Sequence, residues 1–179
     1  MLPTRLLAIQ AAIQTTTIYL GRMVAWLTLA MVLVTCLIVL LRYGFSLGNI
    51  ALQESLVYLH AVVFLLALAY TADDDQHVRV DIFYRRFSPL TKAWVNCLGS
   101  LVFLLPFACV MFWVTWPFFT SAWAIRESSG EAGGLPYVYL LNGLLPLAAI
   151  GLILLAIGQA LGNLGQILQL QTPAESEHA

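Results

Sequence analysis

Charged side chains are what this sequence has least of. Asp, Glu, Lys and Arg make up 9% of its 179 residues, against about 25% in a typical soluble domain. With 61% apolar residues and a mean hydropathy of +0.88, that scarcity excludes a water-soluble globule and leaves an integral membrane protein. Eight Lys and Arg against nine Asp and Glu give a net charge of −1. No basic surface is available to a nucleic-acid backbone, so nucleic acid is excluded as a partner. Paired cysteines are missing too. Cys36, Cys97 and Cys109 stand alone in apolar stretches with no C-x-x-C among them, which excludes a zinc ribbon or a dithiol redox centre. Cys97 and Cys109 fall on what should be one helix, about 18 Å apart in rise, too far to bridge, so a four-helix thiol oxidase is excluded as well. All three are expected to be buried small hydrophobes. There is also no nucleophile with its base, no phosphate loop and no carboxylate pair, so neither catalytic residues nor a cofactor is expected in this chain.

What is present is a set of charge-free runs. A bilayer core of about 30 Å takes roughly 20 apolar residues as a helix, and four runs qualify. Met23 to Leu41 lies between Arg22 and Arg42, and Ser55 to Ala72 between Glu54 and Asp73. Ala93 to Ile125 is too long for a perpendicular crossing and must tilt, kink or protrude, with kinks expected at Pro106 and Pro117. In the run from Ala132 to Ala174 the crossing is placed near Tyr139 to Leu161, with Gly162 to Gln171 continuing the helix outward. The expected fold is all-α: four transmembrane helices at about 23–41, 52–72, 93–122 and 139–161 within a 23–171 membrane domain. Residues 1–22, interrupted by Gln10, Gln14 and Thr15 to Thr17, are expected to form an interfacial helix; a cleaved signal peptide is the rival reading. Residues 172–179 are expected to be a disordered tail.

Orientation follows from the cations. Arg5, Arg22, Arg79, Arg85, Arg86 and Lys92 fall on one side, Arg42 and Arg126 on the other, which puts both termini and the second loop in the cytoplasm. In that loop, helical spacing aligns His77, Asp81 and Arg85, with Val80, Phe83, Tyr84 and Phe87 on a neighbouring face. An amphipathic helix on the membrane surface is expected, with Arg79, Arg85, Arg86 and Lys92 against anionic lipid. Asp73, Asp74, Asp75, His77 and Asp81 could be read as a metal site, but no second histidine or E-x-x-H pair accompanies them, and a capped, solvated loop is the reading adopted.

Inside the spans, His60 is the one histidine and could carry a proton or ligate haem. His77 lies about 25 Å further along and cannot be its partner ligand, so a neutral histidine packed between helices is expected. Glu54 opens the second span, where the helix N-terminus favours a carboxylate, and reads as an anchor or subunit contact. Phe112, Trp113, Trp116, Phe118, Phe119 and Trp123 form an interfacial belt. Gly151, Gly158 and Gly162 recur at helical spacing, Gly158 and Gly162 as G-x-x-x-G, and are expected to let helices approach closely.

At Glu54 and then at His77, Val78, Arg79, Val80 and Asp81, the chain resembles the small membrane subunit of tripartite ATP-independent periplasmic (TRAP) transporters, the DctQ-type family. That family has four spans, a glutamate opening the second, and an H-[IVL]-x-V-D motif in the loop after it. The resemblance covers about residues 20 to 165, and a second match within it is Ser128 to Pro136, S-S-G-E-A-G-G-L-P, with Glu131, Gly133, Gly134 and Leu135 inside it, followed by Leu145, Pro146 and Gln159. This looks like the E-x-G-G-L-P, I-P and Q pattern of a TRAP branch linked to keto acids and related carboxylates, though Asn142 stands where that branch usually has a lysine. The resemblance implies a multi-pass protein of the bacterial inner membrane. It would be a scaffold subunit in sodium-coupled import of an organic acid. Its partners would be a large elevator-type membrane subunit, which holds the sodium, and a periplasmic binding protein. Two other classes remain open on the residues alone: a stand-alone proton-coupled exporter, which needs a mid-membrane carboxylate, and a b-type cytochrome subunit.

Overall fold

A computed structural model describes residues 2–73, 84 and 86–171. Among them every regular element is helical. Helix α1 (Leu2–Val39) ends in a π-helical turn, Leu40–Gly44, and α2 spans Ile50–Asp73. Helix α3 (Pro89–Gly99) runs through a second π turn, Ser100–Leu104, into α4 (Leu105–Ile125), and α5 spans Val138–Gln171. Four of the resulting rods are long and apolar enough to cross a membrane: Ala11–Gly44, Ile50–Leu68, Pro89–Ile125 and Val138–Gln171.

Short-range chemistry sets the starts and the bends. Asn49 caps α2, its Oδ1 accepting from the Leu52 N–H at 2.9 Å. Ser88 caps α3 in the same way, accepting from Thr91 N–H at 3.2 Å, with Pro89 in the first turn, where a missing N–H costs nothing. The expected irregularity at Pro106 is a π turn immediately before it. The wider turn gives room to a ring that lacks an amide donor. Through Pro117 α4 continues as α-helix, and Thr120 Oγ1 donates to the carbonyls of Trp116 and Pro117 at 3.2 and 3.0 Å.

No break separates residues 2–22 from the first span: α1 is one helix of 38 residues, about 57 Å long. Its N-terminal half belongs to the bundle, since Ile13 lies against Gly158 and both Gly21 and Val24 are buried.

Helix α5 is the hub, packing against α1, α2, α3 and α4, while α1 also packs on α2. Cys97 faces Ala160, Ser100 faces Gln159, Phe119 faces Gly143 and Trp123 faces Tyr139. Residue numbers rise on one helix as they fall on the other, so α3–α4 runs antiparallel to α5. The buried positions are mainly small: Ala93, Ala108, Ala122, Ala148, Ala149, Ala156 and Ala160, with Gly158, Gly162 and Gly165. Large side chains point outward, Trp113 at 81% exposure and Trp26 at 73%. In lipid nothing drives Leu or Trp inward, and helices associate where small residues let backbones come close.

The glycine stripe is therefore a packing feature, but its members differ. A Cβ on Gly158 would lie 3.2 Å from Ile13 Cδ1, Gly162 is buried, and Gly151 borders a groove between α1, α2 and α5. Gly143, outside the expected stripe, lets the Phe119 ring come within 3.0 Å of where its Cβ would stand. The C-terminal extension of α5 is core as well, with Ile167 2% exposed beside Ala93 and Cys97. The cysteines correct the expectation of uniform burial: Cys97 is buried, whereas Cys36 and Cys109 are exposed, and all three are free. Apolar sequence context marks membrane depth, which the outward and inward sides of a helix share.

Gly158→Leu should push α1 off α5 and lower the melting temperature of the detergent-purified protein, at a cost of about 1–3 kcal/mol. Adding Ile13→Ala should recover part of that loss; no recovery in the double variant would mean that Ile13 is not the obstacle.

Candidate functional site

Antiparallel packing brings the start of α2 and the α4–α5 connection, residues 126–137, to the same end of the bundle. There the Glu54 carboxylate reaches across to that connection with both oxygens. Ser129 Oγ donates to Oε1, and the Leu135 N–H donates to Oε2 at 2.6 Å. Glu54 sits in the second turn after the Asn49 cap, beyond the turn where a helix dipole acts strongly. The groups that hold its charge are therefore those of the connection, rather than the N-terminus of its own helix.

The connection is held by a series of specific polar contacts. Arg126 closes α4 in the left-handed region (φ 51°), its N–H bonded to Trp123 O and the Glu127 N–H to Ala122 O at 3.0 Å, a Schellman closure that usually takes glycine. Its guanidinium lies over the rings of Trp123 and Tyr139, 4.4 and 5.1 Å from their centroids, an attraction that offsets the strain. Ser129 N–H donates to Leu135 O at 3.0 Å, and Ser129 Oγ accepts from the Glu131 N–H at 3.1 Å. Gly134 N–H closes a turn on Glu131 O at 3.0 Å, with Gly133 at φ +84° in the position where such a turn needs glycine. Tyr139 N–H, an otherwise unpaired donor at the start of α5, finds Glu127 O at 3.3 Å. The Glu127 carboxylate accepts from Asn142 Nδ2 at 3.0 Å.

Gly134 is fixed by a different constraint from Gly133. A Cβ there would stand 2.7 Å from Glu54 Oε1 and 2.6 Å from Ser129 Cβ, so a side chain would displace the carboxylate from its seat. Thus Glu54 meets the distant stretch that holds Gly133, Gly134 and Pro136 in one feature. Asn142, the departure from the keto-acid branch, is at its edge as the partner of Glu127. Sequence reading had Ser129 only as part of a motif and Arg126 only as a cation at a span edge, without these roles, and it missed the Asn49 cap. Of these, only Asn49 before an apolar run carried a local signal.

His77, Val78, Arg79, Asp81 and Arg85 lie outside the described residues, and with them the expected amphipathic helix and the acidic cluster read as a possible metal site. Arg86 is exposed. Tyr84 donates to Asn96 Oδ1 at 3.1 Å, Phe87 meets its ring edge at 6.3 Å, and Lys92 Nζ stands 5.4 Å above it. Lys92 is thus held against an aromatic face. Gln159 accepts from Ser100 Oγ at 3.1 Å across the α5–π-turn contact. The aromatic residues of α4 divide: Phe112, Trp116, Phe119 and Trp123 form a ladder with centroids 5.3 to 5.6 Å apart, the first pair stacked and the next two tilted, while Trp113 and Phe118 face outward.

His60 is exposed on α2, not packed between helices of this chain as expected. Its ring lies parallel to that of Phe64, 6.3 Å away. The expectation rested on the cost of a polar group in lipid, which says that the imidazole must be covered but not by which chain.

Four rods long and apolar enough to cross a membrane, packed on the small residues of one of them, with a single acidic residue inside them that is bound to the protein's own loop, define a multi-pass helical membrane protein. Residues 31–166 match the family of tripartite ATP-independent periplasmic transporters, DctQ component, and the chain belongs to that family. It is a component of a transporter family, and no enzyme family is indicated. No curated protein and no solved structure matches the chain.

The steric reading of the loop has a direct check. Gly134→Ala should destabilise the protein by about 1–3 kcal/mol, and Gly130→Ala, whose added Cβ meets nothing within 4 Å, should be neutral. Thermal melts and proteolysis of the 126–137 connection compare the two; equal behaviour would contradict the close approach.

Proposed function

We propose that this chain is the small scaffold subunit of a TRAP-type, sodium-coupled importer of an organic acid in the bacterial inner membrane. The carrying observation is that the one acidic residue within its four candidate spans, Glu54, spends both oxygens on Ser129 and Leu135 of its own chain. Family membership supplies the tripartite setting. A carboxylate used in this way suits a protein that holds shape while another component binds substrate and ion.

In this reading the large membrane component moves substrate and sodium, and a periplasmic binding protein delivers the carboxylate. This chain has no cofactor of its own. Six of eight cations lie toward the termini and the second loop, so that end is cytoplasmic by the distribution of Lys and Arg, and the Glu54-locked connection is periplasmic. Arg79, Arg85, Arg86 and Lys92 hold the second loop to anionic lipid, each contributing roughly 1 kcal/mol, while Phe83, Tyr84 and Phe87 enter the headgroup region. Glu54 and Asp81 act in assembly and orientation. A proton-coupled exporter is not favoured, because it needs a free carboxylate at mid-membrane depth.

Titrating the purified chain with sodium and with short carboxylates should give no saturable heat; micromolar binding would overturn the scaffold role. Glu54→Gln and Asp81→Asn should reduce the yield of assembled transporter more than they change substrate affinity, as read by co-purification and by uptake against substrate concentration. An intact complex with altered substrate preference would contradict the assignment. For the second loop, single cysteines at positions 83 and 87 should resist aqueous thiol reagents in membranes, and free labelling at both would exclude membrane anchoring.

A further inference from the structure

His60 stands ten residues into α2, about 15 Å along a helix crossing a core of about 30 Å. Its imidazole is therefore near mid-membrane depth, and it faces out of the chain. Besides the parallel ring of Phe64, it has no polar partner among the described residues.

It borders a shallow groove of about 520 Å³ between α1 and α2, shared with Val63, Thr28, Met31, Val32 and Thr35. The hydroxyls in that groove donate to their own helix, Thr28 to Ala25 O at 2.6 Å and Thr35 to Met31 O at 2.7 Å, and neither they nor the Cys36 thiol, which also lines the groove, is hydrogen-bonded to the imidazole. Acyl chains filling the groove would leave an N–H and a lone pair unpaired in hydrocarbon, a state that costs free energy and is rare for ionisable residues in spans.

The other outward face differs in chemistry. Val102 and Phe103 of the second π turn, and Phe107, Val110 and Val114 of α4, are exposed and wholly apolar, a surface that lipid satisfies. Cover by this chain differs in the same sense: none of the apolar stretch of α2 is buried, against 17% of that of the α3–α4 rod.

We propose that the α1–α2 groove at His60 is the seat of a transmembrane helix of the large membrane component, which presents a hydrogen-bonding side chain to the imidazole at mid-depth. The proposal rests on the scaffold reading above and adds to it the face that is used and the chemistry that selects the partner helix. A second copy of this chain is the other candidate occupant, since two imidazoles facing across a two-fold axis can pair N–H to nitrogen; the tripartite setting of the family supplies a dedicated membrane partner and favours the large component.

The test is made on this chain co-expressed with the large component in membranes. A photo-reactive amino acid replaces Val32 in the groove or Val110 on the α4 face. In parallel, His60→Leu and His60→Gln are compared for co-purification, with inserted protein measured without the partner as a folding control. The proposal expects the residue at 32 to cross-link to the large component and the one at 110 to cross-link to lipid. It also expects His60→Leu to lower co-purification several-fold at unchanged insertion, and His60→Gln, which keeps a donor and an acceptor, to retain it. A lipid-facing histidine gives the opposite sign, since removing a polar group from hydrocarbon leaves assembly unchanged or improved; that result overturns the proposal. So does cross-linking at 32 only to lipid or to a second copy while the large component still co-purifies, an outcome that leaves the scaffold reading standing. If the unaltered chain fails to co-purify with the large component at all, the scaffold reading falls and this inference falls with it.

Discussion

Close approach of helix backbones along α5 is the constraint on which the rest of the structure depends. A single helix can contact four others only if its surface is nearly bare, and the buried positions of α5 are largely alanine and glycine. Ile13 on one side and Phe119 on another lie where a Cβ on Gly158 or Gly143 would crowd them. In water such a core would bury too little apolar area to be stable. In a bilayer the expelled large side chains stay in an apolar medium, so stability comes from contact between well-fitted surfaces and not from removing carbon from water. The outward tryptophans and phenylalanines therefore cost nothing, and those with no role inside the bundle remain free to meet lipid or another subunit.

Two antiparallel crossings leave their connections at the same end, and there the bundle depends on a different kind of interaction. Connection 126–137 has many backbone donors and few neighbours. The Glu54 carboxylate ties one side of it through a hydroxyl and the other through an amide. It thereby fixes α2 to a segment of chain that enters the hub helix. Gly134 supplies the room, Gly133 the positive φ, and Arg126 a left-handed closure steadied by two aromatic rings. A carboxylate so placed is a structural tie.

Glu54 and His60, both on α2, thus serve opposite purposes. Glu54 is turned toward its own chain and is satisfied there, while His60, less than two turns later, is turned outward and is not. A bilayer tolerates the second arrangement only when something polar covers it. In a family whose members work as components of a tripartite assembly, an unsatisfied mid-membrane group is a natural mark of the contact with a partner.

Composition, the four charge-free runs, the proline positions and the Gly158–Gly162 spacing were enough to determine an all-helical, four-rod membrane protein. Helical propensity, apolar length and the loss of an amide at proline are local properties, legible residue by residue. The motif residues Glu54, Gly133, Gly134 and Pro136 also carried the family, but not what joins them. Only the tertiary structure decided that Glu54 closes the 126–137 connection, since Ser129 and Leu135 lie 75 and 81 residues away in sequence and nothing periodic relates them. It likewise decided which cysteine is buried, that α1 continues unbroken from Leu2, and that His60 faces out. Hydropathy reports how deep a residue lies in the membrane. The direction in which a side chain points around a uniformly apolar helix is set by which neighbour packs there, and that is settled when the helices come together.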